Sequence, residues 1–150
     1  MLSLQEISDR LEIQQLMVDY ASAIDRRQFD ELDNVFTQDA YIDYRPMGGI
    51  DGRFPEVKEW LRQVLPTFPM YSHMIGNFAI KVDGDKASSR ILCFNPMLAD
   101  IPGGERHVMF YGLWYNDKFV RTAQGWRFCE RVEEKCFDYN VPREFKAPQE

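Results

Sequence analysis

The hydrophobic period changes along this chain, and that change limits the folds open to it. Up to Leu65 apolar residues recur mainly at helical spacing, and from Pro69 to Phe137 they alternate mainly in twos. Three helical segments thus precede a run of long strands joined by turns. That order predicts an α+β fold in which helices pack on one face of a curved, mostly antiparallel sheet. A strongly curved sheet with helices over its open side makes a cone. The inside of a cone is a concave apolar cavity of the kind small molecules occupy.

The first helix is expected over roughly Leu4 to Arg26. Ser3 can cap it, and Glu6 three residues on completes a capping box. Ile7, Leu11, Met17, Tyr20, Ala21 and Ile24 recur at helical spacing as its apolar stripe. Phe29 to Phe36 reads as a short second helix, Ala40 to Tyr44 as a strand, and Arg45 to Gly52, rich in glycine, as a loop. Pro55 opens a third helix over Glu56 to Leu65, and Pro66 and Pro69 end it. Strands follow over Pro69–Val82, Ala87–Leu98, Arg106–Thr122 and Trp126–Phe137, separated by Asp83-Gly84-Asp85, Pro102-Gly103-Gly104 and Gly125. Asn140 to Glu150 reads as an irregular tail. No repeat or linker interrupts the pattern, so residues 1–150 are expected to form a single domain.

Composition excludes several partners. The net charge is −6 with both signs interspersed, and no basic stripe is present to bind nucleic acid. No apolar run approaches the ~18 residues of a membrane span. Met1-Leu2-Ser3 leads straight into the helical pattern without a secretory leader, so a cytoplasmic location is expected. Cys93, Cys129 and Cys136 are odd in number, widely spaced and lack metal-ligand spacing, and they read as free thiols in a reducing compartment. No metal cluster, phosphate loop or nucleophile elbow appears, so no cofactor is implied. Aromatic residues make up 14% of the chain, enough to line a pocket as well as fill a core, and the expected partner is a small apolar or aromatic molecule.

Two polar residues sit where apolar ones would be expected. Asp25 lies four residues after Ala21 and eight after Met17, on or beside the apolar stripe in the helix's last turn. A carboxylate there opposes the helix dipole, and burying it unpaired costs several kcal/mol. Arg26 or Arg27 could neutralise it at the surface, although both diverge from it around the helix. His73 sits mid-strand between apolar residues, on the face of Tyr71, Ile75 and Asn77, with Met74, Gly76, Phe78 and Ile80 opposite. A half-buried imidazole can titrate near neutral pH and move a proton. The alternative is a core histidine bonded to a backbone carbonyl. His107, at the start of a strand after a glycine loop, reads as a surface or cavity-mouth residue. Trp60, Trp114 and Trp126 read as core or interface anchors. Met47, Met70, Met74, Met97 and Met109 read as core filling, with an adaptable cavity lining as the alternative.

Tyr20-Ala21-Ser22-Ala23-Ile24-Asp25-Arg26-Arg27-Gln28-Phe29-Asp30-Glu31-Leu32, with Phe36-Thr37-Gln38-Asp39-Ala40, resembles the opening of the nuclear transport factor 2-like superfamily, most nearly its SnoaL-like branch. Phe119-Val120-Arg121-Thr122 and Gly125-Trp126-Arg127-Phe128 resemble that branch's closing hairpin. The resemblance spans roughly residues 5 to 137. It implies the cone-shaped fold and a homo-oligomer, dimer or trimer, formed through the outer sheet face that carries Trp114. It does not fix a reaction, because the superfamily holds dehydratases, isomerases, cyclases and binding modules.

Ile24-Asp25, Asp43-Tyr44-Arg45 and His73-Met74-Ile75-Gly76 resemble three runs of the scytalone dehydratases, and the first and third are similar in hexachlorocyclohexane dehydrochlorinases. That resemblance implies that Asp25 and His73 meet inside the cone as a catalytic dyad. Asp25 would fix the imidazole, His73 would remove a proton beside a leaving group, and Tyr44 would polarise a carbonyl or hydroxyl. The implied reaction is elimination of water or halide from a cyclic or aromatic-type substrate. Ile24 replaces the dehydratases' first tyrosine, Asn95 falls at their second histidine, and Leu113 and Tyr115 fall at their paired serine and asparagine. Together with Tyr20 these are the expected substrate-binding residues, and their identities imply a substrate other than scytalone. Tyr20 falls at the oxyanion tyrosine of ketosteroid isomerases, but those enzymes' base falls at Tyr44, and a phenol is a poor base near pH 7. An isomerase or polyketide cyclase-like enzyme, and a non-catalytic binding module in which Asp25 and His73 merely fix the first helix to the sheet, are the alternatives.

Overall fold

The long alternating segments pair with one another, and the helices cover one side of what they build. A computed structural model describes residues 1–145 of the chain, so the part of the expected irregular tail from 146 to 150 lies outside the described residues. Helix α1 is Leu4–Asp25 and α2 is Phe54–Val64. The strands are β1 (Phe36–Asp43), β2 (Asp51–Arg53), β3 (Met70–Tyr71), β4 (Met74–Asp83), β5 (Lys86–Asp100), β6 (Arg106–Thr122) and β7 (Gly125–Tyr139). They form one sheet in the order β2-β1-β7-β6-β5-β3, with β4 also paired to β5. Every pairing is antiparallel except β1 against β7, which is parallel. The fold is therefore α+β, with helices on a mixed, curved and unclosed sheet.

On β5 the expected alternation is complete: Ala87, Ile91, Cys93, Met97 and Ala99 are buried, while their neighbours face outward. The register of β5 with β6 is unbroken from Lys86↔Val120 to Asp100↔Arg106. These inner side chains pack against Ile13, Leu16, Met17, Tyr20 and Ile24 of α1, spaced as one helical stripe.

That stripe begins later than the sequence suggests. Ile7 and Leu11 are 42% and 60% exposed, because at this end of α1 the buried position belongs to Asp9. Its carboxylate accepts from Arg121 Nη1 and Nη2 at 2.8 and 2.9 Å, from Trp126 Nε1 at 3.2 Å and from Gln5 Nε2 at 3.0 Å. The Arg121 guanidinium, helped by Trp126 and Gln5, holds that carboxyl at about 2. The helix N-terminus is capped by Ser3, whose hydroxyl accepts from Glu6 N–H. The other half of the expected capping box does not form, since the Glu6 carboxylate pairs with Arg10 instead.

Four other expectations need correction. Phe29–Asn34 is a tighter 3-10 helix, and Phe36 belongs to a strand that starts four residues before Ala40. Phe36 is drawn into the sheet by rings on both sides, 5.0 Å from Phe54 and 5.2 Å from Phe128. The loop from Arg45 to Gly52 contains part of β2, too short and polar to show alternation. The strand expected over Pro69–Val82 is broken at Ser72 and His73 and then bulges near Asn77, which adopts φ 51°. Tyr71, His73 and Ile75 do share the inward side. Beyond the bulge the phase reverses, so Ile80 is buried and Asn77 is exposed, the opposite of the expectation. Met70 and Met74, 63% and 69% exposed, fill neither core nor cavity, whereas Met109 is fully buried.

Candidate active site

The C-terminal end of α1 is tied to the sheet by a set of directed contacts. Tyr71 OH donates to Ile24 O at 3.0 Å. Arg27, in the left-handed region at φ 59°, turns its guanidinium away from the helix and donates to Phe68 O and Pro69 O at 2.8 and 3.2 Å. It therefore does not neutralise Asp25. The Asp25 partner is His73: the backbone N–H of His73 donates to Oδ2 at 2.9 Å, and Nδ1 lies 2.6 Å from Oδ1. β3 and β4 pair only with β5, so alternate N–H groups along this edge point away from the ladder, and the N–H of His73 is one that is left for Asp25. The break between β3 and β4 is held open from β5, where Asn95 Nδ2 donates to Ser72 O at 2.7 Å and Pro96 O accepts from Ser72 N–H at 3.2 Å. With its proton on Nδ1 facing the carboxylate, the imidazole keeps Nε2 as its basic atom.

His73 forms part of the wall of a cavity of about 210 Å³ between α1, α2 and the inner face of the sheet. Tyr20, Ile24, Tyr44, Asn95, Leu113 and Tyr115 share that wall. The sequence-derived residues are thus brought together, with Asp25 behind the imidazole and off the wall. Trp60, Met47, Met97 and Phe68 supply much of the remaining apolar surface. Asn95, at its amide nitrogen, serves the Ser72 backbone. His107 lies away from the cavity, with Nε2 against Asn140 O.

Tyr44 follows β1, and its hydroxyl lies 2.7 Å from that of Tyr20. Both side chains are buried. Burial raises the Tyr20 hydroxyl to about 12 and pushes Tyr44 well above its ordinary value, so both are neutral phenols near pH 7. Two hydroxyls that share one hydrogen bond leave one O–H proton over for a ligand. The adjoining turn needs glycine at Gly49, where a Cβ would sit 2.7 Å from Tyr44 Cβ and 3.0 Å from the Trp60 ring.

Beneath the tyrosines lies a group the sequence reading missed. Arg131 is fully buried and donates through Nε and Nη2 to Asp117 Oδ1 and Oδ2 at 2.8 and 2.9 Å. Its guanidinium also lies 4.1 Å from the Tyr20 ring centre and 3.9 Å from that of Tyr115. Glu133, two residues on, reaches the cavity wall. Their inward orientation follows from a bulge: Lys118 pairs with Glu130 and Phe119 with Phe128, leaving Cys129 as an extra residue. Trp126 and Phe128 face inward before it, and Arg131 and Glu133 after it. Among the described residues, no group of three or more His, Cys, Asp or Glu side chains is arranged to hold a metal ion. No helix among them is long and apolar enough to cross a membrane.

Comparison with known proteins adds three findings. The model of the SnoaL-like domain family matches residues 5–132. The chain is 66% identical over 137 residues to the uncharacterized protein Rv2910c of Mycobacterium tuberculosis, covering 91% of this chain and 92% of that one. Among solved structures, a type 2 hexachlorocyclohexane dehydrochlorinase (LinA) superposes with a TM-score of 0.80 at 20% identity, covering 97% of each chain. A protein of Novosphingobium aromaticivorans, named as a candidate scytalone dehydratase, superposes with a TM-score of 0.79 at 21% identity, covering 95% of this chain and 93% of that one. At such identities the structural likeness carries the fold and not the reaction.

Proposed function

We propose a catalytic role on two premises: the chain belongs to the SnoaL-like domain family, and its cavity wall carries an imidazole gripped from behind by a carboxylate. The reaction that fits is a scytalone dehydratase-like elimination, in which water or halide leaves a small cyclic or aromatic-type molecule. The observation that carries this reading is the two-point contact between Asp25 and His73, because a carboxylate that fixes Nδ1–H leaves Nε2 to take a proton from carbon. Asp25 would stabilise the imidazolium that forms. The proton left over on the Tyr20–Tyr44 pair would polarise a substrate oxygen, while Ile24, Asn95, Leu113 and Tyr115 would shape the pocket. An isomerase using Tyr44 as base is disfavoured, since burial raises that phenol further from neutral pH.

The test is a thermal-shift screen of purified protein against aromatic and cyclic alcohols and small cyclic halides. Each compound that raises the melting temperature would then be incubated with enzyme and examined by mass spectrometry for loss of water or hydrogen halide. At least one such product is expected. Ligands that stabilise the protein yet persist unchanged across the whole panel would instead mark a binding module.

A homo-oligomer is also proposed. Phe137 and Tyr139 on the outer face are 47% and 66% exposed, and the ring of Phe137 lies against Gly112, where a Cβ would be 2.1 Å from it. Phe94 and Phe110 stack beside them at 5.7 Å. Trp114 itself is covered by the Arg90 guanidinium at 3.8 Å, so the apolar surface lies nearer the far ends of β6 and β7 than expected. A dimer or trimer burying more than ~1,000 Å² per interface is expected by light scattering at micromolar protein. A monomer mass there would rule it out. The three free thiols suit a reducing cytoplasm.

A further inference from the structure

Glu133 has no role in the chemistry above, yet it stands on the wall of the same cavity. It projects from β7 directly opposite Tyr115 of β6. The residue is partly accessible, but its Oε2 is enclosed and has no hydrogen-bond partner among the described residues. Arg131, on the same face of β7, gives Nε and Nη2 to the two oxygens of Asp117, and its buried Nη1 has no hydrogen-bond partner among the described residues. Burial opposes a negative charge at Glu133 most strongly; the nearby Arg131 guanidinium favours one, and the acids on neighbouring strands, Asp43 of β1 and Asp117 of β6, oppose it. Tyr20, Tyr44, Tyr111 and Tyr115 and the Cys93 thiol, which also lie within reach of its charge, are pushed up by burial and are neutral near pH 7. An ionised Glu133 would therefore be an enclosed charge that no cation or other donor among the described residues hydrogen-bonds at Oε2, a costly state. Burial accordingly pushes this carboxyl well above the ordinary carboxylate range. A neutral carboxylic acid has one O–H to donate, and among the described residues nothing on the protein receives it.

We propose that Glu133 is a ligand-binding residue whose O–H donates to an acceptor oxygen of the bound molecule. The cavity consequently takes neutral ring compounds bearing a carbonyl or hydroxyl oxygen and rejects the corresponding carboxylates. A carboxylate ligand would set a further negative charge beside Asp117, which already holds the Arg131 guanidinium by two hydrogen bonds. This rests on the reading of the cavity as a small-molecule site, but not on the dyad's chemistry.

Two measurements test it. Infrared spectroscopy at neutral pH should show a carboxylic C=O band that disappears in Glu133→Gln, and the same band strength in both proteins overturns the proposal. Calorimetric titration should show the bicyclic ketone 1-tetralone binding wild type well and 1-naphthoate binding at least about tenfold more weakly. Glu133→Gln keeps a donor and should hold 1-tetralone within a few-fold. Glu133→Leu, which removes an enclosed polar group and should fold, should lose about tenfold. Equal affinity of wild type and Glu133→Leu for 1-tetralone refutes the role of Glu133 alone, as does tighter binding of 1-naphthoate than of 1-tetralone. Failure of wild type to bind 1-tetralone, 2-naphthol or any neutral compound of the screen overturns this proposal together with the reading of the cavity.

Discussion

His73→Ala is expected to lower kcat on an identified substrate by on the order of 10²–10⁴, and Asp25→Asn to follow it closely. On the proposed mechanism, removing the imidazole removes the base. The asparagine result is the more discriminating, because both Asp25 oxygens accept hydrogen bonds from one residue. An asparagine can accept at only one of those two places. If its amide nitrogen faces Nδ1, the ring must shift its proton to Nε2 and loses the atom proposed to act as base. If the amide nitrogen faces the backbone N–H, the tautomer survives but the carboxylate's charge does not. Either way the imidazolium loses its partner, while the fold should persist with a modest loss of stability. Steady-state kinetics with circular dichroism on the same samples would decide it. A folded Asp25→Asn that turns over at the wild-type rate would remove the dyad from the mechanism.

The second large effect is on stability. Asp117→Ala leaves Arg131 fully buried without its carboxylate, and breaking such a pair from one side costs about 3–5 kcal/mol. That is a large share of the roughly 5–15 kcal/mol that holds a typical domain together. The double variant Asp117→Leu with Arg131→Leu should recover much of the loss, because the desolvation penalty disappears along with the ion pair. Urea unfolding would show a strongly lowered midpoint for the single variant and a partial return for the double one. An unchanged midpoint in Asp117→Ala would mean that solvent reaches Arg131 after all.

What the sequence revealed and concealed divides along physical lines. Asp25 was legible because a carboxylate on an apolar helical stripe is conspicuous, and His73 because it interrupts an apolar strand. β5 was legible throughout because its two-residue period is never broken. Arg131 and Glu133 were not, since counting in twos from Phe128 through Cys129 assigns them to the outer face. A bulge reverses every residue beyond it, and nothing local in Phe128-Cys129-Glu130 announces one. The bulge at Asn77 misassigned Ile80 in the same way. Asp9 was hidden for a different reason. An acid in the second turn of a helix looks like solvated surface unless Arg121, 112 positions away, is known to lie against it.

The one parallel pairing, β1 against β7, has a consequence for how the chain matures. β1 is flanked on one side only by three residues of β2 until β7 is synthesised, and Asp9 waits for Trp126, 117 positions later. Closing loops of that length costs entropy before any contact rewards it, and topologies ruled by such distant contacts fold in milliseconds to seconds rather than microseconds. On the ribosome the two helices therefore emerge with no complete sheet to lie on. Their apolar stripes remain open to chaperones until β7 zips between β1 and β6. β7 supplies part of the cavity wall, so a nascent chain halted before Arg131 carries Asp25 and His73 but not the complete cavity.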